Sequence, residues 1–239
     1  LEFRRVLFRS NCYPVGDDGI EATVSRLRKL LWRRTFGWHY YTQYSGLRWL
    51  SCRRSKSIKV NPKRDWNVDG FAQATVQAVA LNPNYESKAH TVKAANPSAG
   101  THTVWLPAWN PTDQWGWAEW AFNPNGGTAS FSFPDFSFGN EQEIDVTWTP
   151  GEHADRMINL VPINQMWSVM AHPLMDTYIK ADLSNGDGEM NAVEPLYWFP
   201  PYTGTEDDPI MLPVTINGPA GAQVKFTLRR FWSAEMGLE

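Results

Sequence analysis

Cysteine is nearly absent from this chain. Its 239 residues include only Cys12 and Cys52, so the 175 residues from 65 onward contain none. That excludes a disulfide framework or a cysteine-built zinc site for most of the chain. No apolar run approaches the roughly 18–20 residues that a membrane-spanning helix needs. There is no Asn-x-Ser/Thr acceptor with an allowed middle residue, which disfavours a secreted glycoprotein. The G-x-S-x-G elbow, the P-loop, G-x-G-x-x-G and the helical H-E-x-x-H arrangement are all missing. Methionine is missing from the first 156 residues, Met157 being the first of seven. The chain therefore reads as a piece of a longer translated product.

Charge is present but unevenly placed. The formal net charge of -3 is a cancellation. Residues 1–64 hold 15 basic and four acidic side chains, a net +11, while residues 65–239 hold 7 and 21, a net -14. Such asymmetry points to a basic arm on an acidic domain. At 42% hydrophobic and 14% aromatic, the chain can bury a substantial core. Its length fits one sizeable domain plus an arm.

The first ten residues, LEFRRVLFRS, resemble the translated constant end of a sequencing adapter and are set apart from the fold. Beyond them, Ile20, Val24, Leu27 and Leu31 recur at the period of one helix face. Arg26, Arg28, Lys29, Arg33 and Arg34 fall between or just past them, giving a basic amphipathic helix suited to an anionic partner such as nucleic acid or a membrane surface. A second cluster, Arg53, Arg54, Lys56, Lys59, Lys63 and Arg64, has no helical period and reads as a flexible arm. Neutralising phosphates needs only charge density and no particular fold, so these 11 cations are the candidate nucleic-acid contacts. Two readings of residues 11–64 stand side by side: a genuine basic arm, and a spurious extension.

From Asp65 the pattern is that of β structure. Asn-Pro dipeptides at 61–62, 82–83, 96–97, 110–111 and 123–124 mark breaks between strand-length segments. Strands are expected over 71–81, 87–95 and 101–109. Alternation of Ala129, Phe131 and Phe133 with serine predicts another, as does Ile144, Val146 and Trp148. Segments 210–217 and 221–232, separated by Gly218-Pro219-Ala220, predict a closing hairpin. Ile163, Met166, Trp167, Met170 and Leu174 instead follow a helical period that Pro173 should end. Many short strands without a β-α-β rhythm indicate an all-β antiparallel sandwich or barrel over residues 65–239, with one short helical insertion.

A basic arm followed by a cysteine-free, Pro/Gly-punctuated β domain of this size resembles the coat proteins of small positive-strand RNA viruses. The closing run QVKFTLRRFWSAE, residues 223–235, is similar to the last strand of noda-like and sobemo-like invertebrate and plant virus coats. The resemblance covers 65–239 in pattern and the last dozen or so residues in wording. It implies an eight-stranded jelly roll that self-assembles into an icosahedral shell, with the arm on the packaged genomic RNA. It also implies a place in the virion, with assembly in the host cytoplasm.

Other chemistry is weighed against plainer readings. Trp105, Trp109, Trp115, Trp117 and Trp120 crowd into 16 residues, an arrangement that in a carbohydrate-binding module would supply stacking platforms. Packing in the core and at subunit contacts is the favoured alternative. Asp182 to Glu194 resembles a calcium loop, but Leu183 stands where the first ligand is required, so a surface turn is expected. Glu206-Asp207-Asp208 reads as a solvated acidic loop. His90, His102, His153 and His172 lack ligand spacing, and no carboxylate pair stands out. The expectation is a structural, non-enzymatic protein without metal or cofactor, in a homo-oligomeric shell.

Overall fold

A computed structural model describes residues 4–15, 18–32, 35–60 and 70–238. The chain forms two compact units, Leu1–Glu86 with Ser233–Gly237, and Ser87–Trp232 with Leu238–Glu239.

The first unit is an antiparallel sheet with a helix on one face. Strand β5 (Ala72–Ala80) is its centre, and every second residue from Ala72 to Ala80 is buried. On one edge β5 pairs with β1 (Arg4–Cys12), from Arg4↔Ala80 to Cys12↔Ala72. Residues 4–10, set apart on sequence grounds, thus lie within a paired strand. On the other edge β5 meets β3 (Gly46–Arg54) and then β4 (Lys59–Val60). Between those two contacts the Ser55 amide donates to the Gln77 carbonyl at 2.9 Å. Strand β2 (Phe36–Thr42) forms a hairpin with β3 through a turn at Gly46, whose φ of 68° suits glycine. Helix α1 (Gly19–Leu30) lies where the apolar spacing predicts it. Ile20, Val24 and Leu31 pack with Cys12, Ile58, Ala72, Ala74 and Val76, the small alanines letting the helix approach closely. Both cysteines are free and buried. The cluster from Arg53 to Lys59 does not run as a free arm: Arg53 and Arg54 close β3, Lys59 opens β4, and buried Ile58 pins the segment to the core.

The second unit is a β-sandwich. Its strands are β6 (Tyr85–Ala95, from residue 87), β7 (Gly100–Ala108), β8 (Ala118–Asn123), β9 (Ser130–Pro134) and β10 (Met157–Asn159). They continue with β11 (Trp167–Met170), β12 (Tyr178–Lys180), β13 (Ile210–Gly218) and β14 (Gln223–Trp232). One sheet runs β6-β14-β8-β11-β12 and the other β10-β9-β13-β7. With the short β12 set aside, the first strand pairs with the eighth, the second with the seventh, the third with the sixth and the fourth with the fifth. Four nested antiparallel pairs rolled into two sheets are the jelly-roll topology. Its core is aromatic: Trp120, Phe122, Phe131, Phe133 and Phe226 are all buried between the sheets.

Each Asn-Pro dipeptide among the described residues falls at the end of a strand or between two strands, as expected. Buried Asn96 donates through its amide nitrogen to Ala222 and through Nδ2 to Gly100 and Gly218. Buried Asn110 likewise donates Nδ2 to Gln114 and Pro200. The dipeptide at 61–62 lies outside the described residues.

Three expectations are corrected. Segments 210–217 and 221–232 are not a hairpin, since β13 pairs with β7 and β9, and β14 pairs with β8 in the other sheet. Their connection carries the chain across the sandwich, with Ala222 buried at its end. No helix spans 163–174. Ile163 forms a bridge to Ala129, and Trp167 and Val169 are buried on one side of β11. The helical set had passed over Val169, whose burial restores a period of two. Residues 144–148 form turns, because Val146 is 83% exposed and Asp145 accepts hydrogen bonds from the Thr147 amide and hydroxyl. That local bonding competes with a ladder.

The long connection from β9 to β10 is held by buried polar groups. Asp135 pairs with Arg156 and accepts from the Leu196 and Tyr197 amides. Glu141, with no exposed surface, accepts from the Ser137 hydroxyl at 2.5 Å and the Gly151 amide at 2.7 Å. Burial alone would raise its carboxyl, but these bonds and that from the His153 amide outweigh it and hold the group at about 2, against an ordinary 4.5.

Three outcomes are expected. A Cβ at Gly218 would stand 2.5 Å from that of Ala129, against backbone that cannot yield. Gly218→Val should therefore lower the urea-unfolding free energy by about 1–3 kcal/mol. Gly188→Ala, with nothing within 4 Å, should stay within about 0.5 kcal/mol of the parent. Because the Glu141 carboxyl is depressed, its stabilisation is complete above pH 4.5 and lost as pH falls through about 2. Urea midpoints should drop across that window for the parent chain and less steeply for Glu141→Gln.

Candidate nucleic-acid interface

The sheet of the first unit has two faces of different character. Even-numbered residues of β5 face α1, and odd-numbered ones face away from it. Pairing across the sheet sets the outward residues in rows. Arg5, Val79 and Arg53 share one row, Leu7 and Gln77 the next, then Arg9, Thr75 and Lys59, and finally Asn11 and Gln73. Cationic rows thus alternate with uncharged ones, and no Asp or Glu occupies any of these positions. The two cationic rows lie four residues apart along β5, about 14 Å. Between them is a cleft of about 470 Å³ lined by Leu7, Ser55, Lys56, Gln77 and Val79 among others. Arg9, Arg53, Lys56 and Lys59 are exposed. Strand alternation explains the arrangement: the apolar residues that bury against the helix leave their neighbours on the open side.

The sequence-predicted cations divide between this face and the helical one. Arg53, Lys56 and Lys59 come together on the open face. Arg54 lies on the other side, its guanidinium 5.9 Å from the Trp32 ring centroid. Arg28 and Lys29 are exposed in the last turn of α1, where they complement the helix dipole. Arg26 pairs with Asp18 at the start of that helix. Arg33, Arg34, Lys63 and Arg64 lie outside the described residues. Sequence reasoning missed Arg5 and Arg9, whose signal is the alternation Arg5-Val6-Leu7-Phe8-Arg9 within the decapeptide that was set apart.

The five crowded tryptophans do not form one platform. Trp120 is core, packed against Phe226 at 4.8 Å and Phe133 at 5.3 Å. Half-buried Trp109 lies between His90 at 4.0 Å and Arg230 at 5.2 Å. Trp105 is 57% exposed on β7, in the other sheet. Trp115 and Trp117 both contact Trp198, at 5.2 and 5.3 Å. His90 is buried, which pushes its imidazole down, and it bonds the Pro107 carbonyl.

The acidic stretch that begins at Asp182 closes on itself. Asp182 accepts from the Ser184 amide and hydroxyl, and Asn185 from the Asp187 amide, so the calcium-like stretch is a sequence of side-chain-closed turns. Among the described residues no three His, Cys, Asp or Glu side chains are grouped to hold a metal ion. No described helix is long and apolar enough to cross a membrane.

No family model matches the chain, and no curated protein sequence is significantly similar to it. In three dimensions it is similar to the Dit protein of phage SPP1, described as a paradigm of the hub adsorption apparatus in phages that infect Gram-positive bacteria. The TM-score is 0.53 at 10% identity, over 96% of this chain and 79% of that one. At that identity the likeness is one of all-β fold alone.

Proposed function

We propose that this chain is a structural subunit of a virus particle, of the coat-protein kind found in small positive-strand RNA viruses. Its jelly-roll unit associates with copies of itself, and its cationic sheet face contacts genomic RNA without sequence preference. The observation that carries this reading is the separation of charge between the two units. Leu1–Glu86 holds 15 basic and seven acidic side chains, whereas Ser87–Trp232 holds seven and 16. A surface with alternating cationic rows and no carboxylate in them suits a phosphate backbone, whose recognition is electrostatic. An acidic second unit would repel that same polymer, so retention of RNA rests on the first unit alone. The jelly-roll strand order supports the structural role, since capsid domains use it. A likeness of fold to a phage hub protein points the same way. On this reading the protein resides in the virion and assembles in the host cytoplasm.

Filter retention of single-stranded RNA across a salt series tests the contact, with electron microscopy of the purified protein testing assembly. Replacing Arg53, Lys56 and Lys59 together by glutamine removes three phosphate contacts. The slope of log affinity against log salt should then fall by about 2, and binding at 0.1 M salt should weaken on the order of a hundredfold. A monomer that forms no particles and ignores RNA at low salt would overturn the reading.

A further inference from the structure

The outward face of the sheet built from β14, β8 and β11 carries a second cleft, of about 210 Å³, within the acidic unit. Register places Thr227, Glu119 and Met170 in one row across the three strands. Ala118 and Ala171 line the cleft with Trp117, Met170, Met175 and Phe231. Arg229 Nε donates to Glu119 Oε1 at 2.6 Å, the two side chains being 50% and 26% exposed. His172 is tilted against Trp117 at 5.4 Å, and its Nδ1 accepts from the Leu174 amide. That bond leaves Nε2 as the protonated nitrogen of the neutral ring. Trp117 is held edge-on by Trp198, which is 8% exposed, so the indole is fixed before any ligand arrives.

From this arrangement we infer that the cleft binds the pyranose ring of a neutral saccharide. A sugar offers an apolar C–H face to the Trp117 indole and hydroxyls that both donate and accept. Glu119 supplies an acceptor, Arg229 and His172 supply donors, and the cleft has the mixed lining of small-ligand sites. Competing ligand classes fit less well. A purely apolar side chain would strip water from Glu119 and Arg229 without replacing their hydrogen bonds. A simple anion would meet Glu119, and a simple cation would meet Arg229. A nucleotide could stack on Trp117, but its phosphate would enter a unit with 16 acidic and seven basic side chains. A half-exposed Glu–Arg pair contributes little to stability, so its variants test binding rather than folding. The inference does not depend on the nucleic-acid reading, which concerns the other unit.

Quenching of tryptophan fluorescence by glucose, galactose, mannose and N-acetylglucosamine, followed by a glycan array, tests it on the full chain. At least one pyranose should bind. Trp117→Ala should weaken that binding by roughly tenfold or more. Glu119→Gln should weaken it as well, with an unchanged circular dichroism spectrum as the check on folding. Trp105→Ala, on the other sheet, should leave it unaltered. Absence of binding across the array, or binding by Trp117→Ala and Glu119→Gln equal to that of the parent chain, would overturn the inference. So would Trp117→Ala abolishing self-association without changing sugar binding, which would make the cleft a contact between copies of the chain.

Discussion

Trp120 and Phe226 stand on neighbouring strands of one sheet with ring centroids 4.8 Å apart, and Phe133 meets Trp120 at 5.3 Å from the other sheet. Phe122 extends the same seam to Phe131 at 4.9 Å. Aromatic burial of this kind is the largest single source of hydrophobic stabilisation available to a sandwich. It also sets the register, because a one-residue slip of β8 or β14 would turn every ring toward water. Once Trp120 and Phe226 point inward, Glu119, Thr227 and Arg229 have to point outward. The polar side of the small cleft is thus a consequence of the core, placed by the same alternation that buries the rings.

The first unit uses the identical constraint with different side chains. Alanine and valine at every second position of β5 make a shallow apolar surface on which α1 settles. The residues between them are Gln73, Thr75, Gln77 and Val79, which bring no charge of their own. Cations enter that face from the flanking strands, from Arg9 on one edge and from Arg53 and Lys59 on the other. A neutral central strand with cationic flanks gives a charged surface without placing like charges side by side in adjacent strands at every row. Electrostatics therefore follows from strand pairing, and the charge excess visible along the chain becomes a face only after pairing.

Much of the fold was legible because it rests on local chemistry. Asn-Pro dipeptides at 96–97 and 110–111 lie between strands, where the asparagine side chains bond nearby carbonyls and proline cannot donate into a ladder. The helix at residues 19–30 follows from its apolar spacing. Where reading failed, two periods or two partners competed. The window 163–174 carries apolar residues that satisfy a helical period, yet β11 pairs with β8 and takes the extended form. Ile144, Val146 and Trp148 alternate like a strand, but no neighbouring strand receives them and Asp145 closes a turn on Thr147. The proposed closing hairpin failed for a topological reason: proximity in sequence says nothing about which sheet each strand joins.

The sequence by itself determined the all-β class, the alternation that buries the aromatic rings, and the opposite charge of the two parts of the chain. Each is set by side-chain chemistry and by periods of two or 3.6 residues. Only the tertiary structure decided that β13 and β14 lie in different sheets and that Trp115 and Trp117 gather around Trp198 while Trp120 enters the core. It alone brought Arg53 and Lys59 into rows with Arg5 and Arg9. The reason is physical: pairing between distant strands is chosen by the burial of the whole core, which no short stretch of sequence contains.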